Sequence, residues 1–279
     1  MSTSIEGTRN TSAKKAWVTL VTNSSDKKTY VVDVLVLFWS LKHHGTGYPV
    51  VAMVNPLKKN DPAESLPQEY RDILTSMGII LHEVDCLVSQ DGGYTGADAR
   101  FVDSRGKLRV FGLTEYEASL GPDALCTAFQ PLPESGITLH SINSGIVVLN
   151  PTEKLNDEII DGLHNDPNVT RYGFPDQDFL SSHFKNRVKF LGYEYNALKP
   201  MRKCHSAIWR DENIRNVHYI FKDKPWVLPE DTEKLDEQFH VIHGWWWDEW
   251  RRLEAEKKEE QWWELVVDLT SLGSKGMPS

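Results

Sequence analysis

The sequence predicts an α/β fold with a mainly parallel central sheet flanked by helices. Two observations predict it. From Ala16 to Val84 the chain reads strand, helix, strand, helix, strand, and that order folds as right-handed βαβ units. The strand segments are short continuous apolar runs, as expected of strands covered on both faces. At 279 residues the chain is long enough for one large domain or two small ones with a substantial core.

Ala16–Thr22 is the first apolar run, and Asn23-Ser24-Ser25-Asp26 turns the chain after it. From Thr29 to His44 the positions Val31, Val34, Leu35, Phe38 and Leu41 share one helix face. The other faces are also largely apolar, so this helix should be covered on several sides. It is too short, and carries Asp33, to span a membrane. Gly45 and Gly47 end it, and Pro49–Asn55 is a second buried strand. Pro67 opens a second helix with Tyr70, Ile73, Leu74 and Met77 on its apolar face; Gly78 caps it, and Ile79–Val84 is the third strand. Asp91–Gly96 reads as a loop and Lys107–Glu117 as a helix, despite the cost of Gly112. Ala118–His140, rich in Pro and Gly and without apolar periodicity, reads as irregular.

The second half continues with a strand over Ile146–Leu149 and a helix whose face is Leu155, Ile159 and Leu163. A further helix opens at Pro175 and Asp176 with Phe179, Leu180 and Phe184 apolar, and Arg187–Leu191 is a strand. Beyond Trp226, Asp236–Leu269 is helix-prone. Seven of the 10 tryptophans lie from Trp226 onward, which predicts a C-terminal helix packed on the domain. A surface for sugar rings or a protein partner is the alternative. The expected division is a disordered tail over 1–15, an α/β domain over 16–226 and a tryptophan-rich helical extension and tail over 227–279.

The formal net charge of −9 and pI of about 5.6, with no basic cluster interleaved with aromatics, argue against nucleic acid as a partner. Cys86, Cys126 and Cys204 show no paired spacing, which argues against a disulfide framework or a zinc site and for a reducing, cytoplasmic compartment. Met1–Lys15 is polar and lacks the apolar stretch of a secretory signal.

Parallel sheets bind ligands beyond the carboxyl ends of their strands, where Thr22 and Asn23 fall. Gly145 lets the backbone approach a ligand closely, and Asn143 and Ser144 present polar side chains at the same edge. The stretch Val217–Trp226 reads as a strand running into a loop. Val217, Tyr219 and Phe221 take one side and His218 and Ile220 the other, until Pro225 ends the ladder. An imidazole and an ammonium thus arrive together near a strand end; the first suits a divalent cation and the second a phosphate.

Four segments in this order, Ile142–Pro151, Phe174–Leu180, Tyr195–Lys199 and Val217–Trp226, resemble glycosyltransferase family 8, a family of nucleotide-sugar transferases. The resemblance covers roughly Ala16 to Trp226 and implies a GT-A-like fold. It implies a nucleotide base and ribose near Thr22, Asn23 and Tyr30, and a donor diphosphate held by Lys107 and Lys224. It further implies a sugar site formed by Asn143, Ser144 and Gly145, with Asp176 and Gln177 at the reaction centre. Tyr195-Asn196 should line the same cleft, and His218 should ligate the metal.

The family pattern also includes an apolar strand ending in Asp-x-Asp, whose carboxylates hold the metal, usually manganese. This chain runs from Glu117 into Ala118–Cys126 with no such strand before Ile142, so one central strand is expected to be missing. Asp176-Gln177-Asp178 has the letters but reads as a helix start. The expected function is retaining transfer of a hexosyl group from a nucleotide sugar, a UDP-hexose, to an acceptor that the motifs do not specify. An inactive nucleotide-sugar-binding module, or an interaction protein acting through its C-terminal helix, is the alternative.

Overall fold

The computed structural model describes residues 15–21, 30–57, 65–85, 87, 99–116, 125–129, 142–169, 171–221, 223–229 and 235–273. Thr22, Asn23, the expected loop Asp91–Gly96 and residues 1–14 of the expected tail lie outside these.

The first unit is β1 (Trp17–Val21), α1 (Tyr30–His43), β2 (Val50–Val54), α2 (Gln68–Ser76) and β3 (Ile80–Glu83), with the three strands parallel in the order β1-β2-β3. Gly45 (φ +77°) ends α1 and Gly78 (φ +90°) follows α2. Both positions need the left-handed backbone that glycine adopts without a Cβ clash. The middle strand β2 is buried throughout. The first strand is less buried than its composition predicts: among the described residues it lies at one edge of the sheet, and within it only Val21 is buried. Helix α1 buries Val31, Val32, Val34, Leu35, Val36 and Phe38, more than one stripe. The sheet covers one side, and a C-terminal helix, α6 (Glu237–Lys257), packs on another.

The second sheet has the order β5-β4-β6, from β4 (Leu125–Phe129), β5 (Ile142–Val148) and β6 (Val188–Leu191). β4 runs antiparallel to β5 and parallel to β6. This corrects the reading of Ala118–His140 as irregular: five of its residues form the middle strand of a sheet. Ladder hydrogen bonds to two neighbours outweigh the weak local signal of Leu-Cys-Thr-Ala-Phe. β5 also begins earlier than the apolar run predicts. Thr127 pairs with Val147 but Ala128 with Asn143, so Ser144–Ile146 bulge out of the ladder.

Helices α3 (Glu153–Asn165) and α4 (Pro175–His183) cover this sheet with Leu155, Ile159, Leu163, Phe179 and Leu180. Thr152 caps α3 by accepting from the Leu155 amide at 3.1 Å. The helix expected over Lys107–Glu117 is instead a 3₁₀ helix over Ala99–Gly112. Its tighter winding eclipses residues three apart, which lays Leu108 and Phe111 together into the core with α3 and α4.

β7 (Ala197–Leu198) and β8 (Val217–His218) form a short parallel pair, with α5 (Met201–Cys204) after β7. The strand expected to continue through Phe221 stops at His218. The Ile220 amide turns back to the His218 carbonyl at 2.8 Å, a three-residue turn, and Phe221 has φ +67°. The predicted alternation of sides therefore fails beyond His218.

The helix-prone C-terminal stretch divides into α6 and α7 (Trp263–Val267). Trp246, Trp247, Trp250 and Trp263 are buried in the same apolar cluster as α1 and β2. Trp250 stacks on Trp246 at 5.7 Å and meets Trp263 at 4.9 Å. Among the described residues, no helix is long and apolar enough to cross a membrane.

Candidate functional site

The bulge in β5, the first turn of α4 and the 3₁₀ helix meet at one carboxylate. Asp176 is 5% exposed. Its Oδ2 accepts from Ser144 Oγ at 2.7 Å and lies 3.1 Å from Lys107 Nζ. Pro175 opens α4, which leaves Asp176 at the second helical position. Helix capping falls to Asp178, which accepts from the Phe174 amide at 2.9 Å. Asp176 is thereby available to the site rather than spent as a cap. Gln177 beside it is buried at 7%.

A second cluster lies on the other side of the bulge. Asn143 Oδ1 accepts from the Gly145 amide at 2.9 Å and from Asn196 Nδ2 at 2.8 Å. A Cβ at Gly145 would sit 2.3 Å from His218 Nδ1, so the imidazole lies flat against the bare backbone. β8 carries that imidazole, and its pairing with β7 brings Asn196 alongside. Tyr195, expected to line the cleft, is 46% exposed while Asn196 is buried.

His218 Nδ1 is buried and has no hydrogen-bond partner among the described residues. Burial, then the Lys107 and Lys224 ammonium groups, lower its pKa to about 3, so the ring is neutral at physiological pH. Lys224 Nζ donates to the Tyr219 carbonyl and lies 5.9 Å from the centre of the Trp226 ring. Burial lowers its pKa to about 8, against the opposing pull of Asp33. Tyr30, from the first turn of α1, meets Trp226 edge-on at 5.8 Å.

The structure thus joins Asn143, Ser144, Gly145, Asp176, Lys107 and His218 through direct contacts or close packing. It sets Lys224 and Tyr30 around Trp226. Thr22 and Asn23 lie outside the described residues. Asp33 was missed as a site group. It sits one turn after Tyr30 on α1, and burial raises its pKa to about 6 while the Lys224 charge works against that shift. The sequence does hold a signal: a lone carboxylate in the otherwise apolar stretch Tyr30–Phe38. Lys199, 1% exposed, was quoted only as part of a motif; its Nζ donates to the Asp223 carbonyl at 2.5 Å.

The sequence model of the family described as glycosyl transferase family 8 matches residues 134–231, a span that holds Asn143, Asp176, His218 and Lys224. Galactinol synthase 4 of Arabidopsis thaliana is 23% identical over 283 residues, covering 84% of this chain and 80% of its own length. Over residues 134–231 the chain is thus similar to glycosyltransferase family 8, and over most of its length to galactinol synthases. Galactinol synthase 1 of Solanum lycopersicum is 25% identical, with 84% of this chain and 80% of its length covered. Among solved structures, the glycosyltransferase GlyE of Streptococcus pneumoniae superposes with a TM-score of 0.55 at 16% identity, covering 91% of this chain and 63% of that one. A galactosyltransferase, LgtC, solved in complex with donor and acceptor sugar analogs, gives 0.54 at 14% identity, with 89% and 98% covered. The fold is that of these GT-A-type enzymes.

Members of glycosyltransferase family 8 generally depend on a divalent metal. The described residues do not fit such an ion as a complete set. A hard cation beside a diphosphate is held mainly by carboxylate and other oxygens. His218 supplies one neutral nitrogen flanked by the charges of two lysines, and Asp176 is engaged by Lys107 and Ser144. Among the described residues, no group of three or more His, Cys, Asp and Glu side chains is placed to share a cation.

Proposed function

We propose that this chain is a family 8 glycosyltransferase that takes a UDP-hexose as donor and transfers the hexosyl group with retention of configuration to an acceptor. The observation that carries the reading is the convergence on Asp176. A buried carboxylate holding the Ser144 hydroxyl and the Lys107 ammonium presents a fixed polar surface of the kind that orients sugar hydroxyls. Lys224, half-buried and cationic at neutral pH, would hold the diphosphate as a point charge. Tyr30 and the chain around Thr22 and Asn23 would meet the nucleoside.

Among the described residues, His218 has no pair of carboxylates placed to share a cation with it, which supports a second reading, a nucleotide-sugar-binding module with slow or no turnover. Loss of one preorganised electrostatic stabiliser alone costs on the order of 10²–10³ in rate. Calorimetry with UDP-glucose and UDP-galactose, with and without manganese, alongside a donor hydrolysis assay, separates the two. Both readings expect donor binding weakened about tenfold or more by Asp176→Ala; the binding-module reading also expects manganese binding that requires the nucleotide. No binding at millimolar donor would sink both. Micromolar manganese affinity without nucleotide, with turnover at ordinary enzyme rates, would favour the enzyme and show that other carboxylates complete the site.

A further inference from the structure

Among the described residues, Phe221 is the one non-glycine with positive φ, at +67°. It is also the most exposed large hydrophobic side chain, at 64%. A bulky residue in the left-handed region is strained, and a side chain so exposed contributes little burial to offset the strain. Such a conformation persists only where its surroundings over-determine it, and here they do. The three-residue turn at His218–Ile220 sets the entry. Tyr219 is tied by its hydroxyl to the Ile242 carbonyl at 3.0 Å, and its own carbonyl accepts from Lys224. Past Phe221, the Asp223 carbonyl accepts from Lys199 Nζ at 2.5 Å. The loop is pinned on both sides of one exposed aromatic ring, which stands three residues from His218 and three from Lys224.

We propose that Phe221 is a stacking platform for a pyranose ring at the rim of the donor site. The aromatic face carries partial negative charge, and the axial C–H groups of a pyranose present a weakly positive apolar face that complements it. Fixing the ring in advance removes the ordering cost that a mobile aromatic would incur on binding. Phe221 takes no part in the hydrogen bonds that join Asn143, Ser144 and Asp176, and its ring is open to solvent, which favours the acceptor sugar over the donor hexose. The proposal rests on the donor reading above for that assignment, but the contact itself is tested independently.

The experiment uses the full chain as wild type, Phe221→Trp, Phe221→Leu and Phe221→Gly. Saturation-transfer NMR with methyl β-D-glucoside and maltose, with UDP present, reports ring contact; titration calorimetry reports UDP affinity; scanning calorimetry reports Tm. Wild type and Phe221→Trp should contact the sugar, with affinity about tenfold weaker in Phe221→Leu and Phe221→Gly and UDP affinity within about twofold throughout. Phe221→Gly should unfold no earlier than wild type, because glycine relieves the left-handed strain. If the contact is instead with the donor hexose, Phe221→Leu will weaken UDP-glucose but not UDP and leave methyl glucoside unaffected, which overturns the acceptor assignment. Undiminished sugar contact in Phe221→Leu, or a Tm several degrees lower in Phe221→Gly, overturns the platform. UDP binding without a Phe221-dependent sugar contact overturns the platform and leaves the donor reading standing. A Phe221-dependent sugar contact without UDP binding supports the platform and counts against the donor reading.

Discussion

Gly145 has no side chain, and the space that a Cβ would take is already filled. The added carbon of Gly145→Ala would fall 2.3 Å from His218 Nδ1 and 2.8 Å from Asn143 Oδ1. The imidazole and the amide must both retreat, at a cost of about 1–3 kcal/mol typical of overpacking. We expect Gly145→Ala to lower Tm and weaken the donor together; an unchanged Tm would show that His218 moves freely. Lys224 makes a prediction in pH. With its pKa lowered to about 8 by burial, it is charged at neutrality and loses that charge above pH 8. A diphosphate binds the charged form, so UDP affinity should fall as pH rises from 7 to 9, by up to about tenfold per unit. Asp33→Asn removes the opposing carboxylate and should move the fall to lower pH. Calorimetry across this range checks both; Lys224→Met should flatten the profile. Of these groups, Gly145, His218 and Lys224 are visible in the sequence through their motifs. Asp33 stands out in the sequence only as a carboxylate in an apolar helix; its place beside Lys224 exists only once α1 has packed.

At the scale of elements, α6 is part of the domain core. Trp250 is 1% exposed and touches Trp246, Trp247 and Trp263. Trp250→Ala should cost about 3–5 kcal/mol, read by denaturant unfolding. Ending the chain after Trp226 should leave no cooperative transition, since α1 would lose the indoles that cover it. A folded fragment with its own transition would instead make the C-terminal helices a separable surface. The same scale separates what local pattern can and cannot reveal. α3 follows its apolar face at Leu155, Ile159 and Leu163 because one helix stripe suffices to bury it. β4 carries no comparable pattern, and its identity comes from β5 and β6 on either side.

For the whole molecule, the response to acid draws on His218, His243 and Asp33, three buried groups among the described residues with large shifts. His218 and His243 each have a folded pKa lowered to about 3 by burial, against 6.5 in a free chain. Between those values the unfolded chain binds more protons, so stability falls as pH drops from 6.5 toward 3. Asp33 is raised to about 6 against 3.8; its native form protonates first, which favours the fold as pH falls from 6 to 3.8. Of these three groups, two losses oppose one gain, so together they lower stability as pH falls through that window. His243→Phe should cost about 1 kcal/mol near pH 8, through the lost hydrogen bond to the Asp223 backbone. It should then flatten the slope between pH 6 and 4, so that the two stability curves cross and the variant is the more stable protein in acid. Urea unfolding at each pH measures this, and a difference independent of pH would place the acid sensitivity elsewhere.

The order β1-α1-β2-α2-β3, the buried faces of α2 and α3 and the four motifs were legible in the sequence itself. Each rests on short-range periodicity or on residue types at fixed spacing, which survive without knowledge of contacts. Only the tertiary structure decided that Leu125–Phe129 is a middle strand, that Ser144–Ile146 bulge, that the 99–112 segment winds as a 3₁₀ helix and that the His218 strand ends in a strained turn at Phe221. In each case a partner distant in the chain supplies the hydrogen bonds or the packing that outweigh local preference. The Asp176 cluster shows the same division. The sequence supplies a serine, a lysine and a carboxylate 32 and 69 residues apart, and folding brings their polar atoms within hydrogen-bond reach at one buried oxygen.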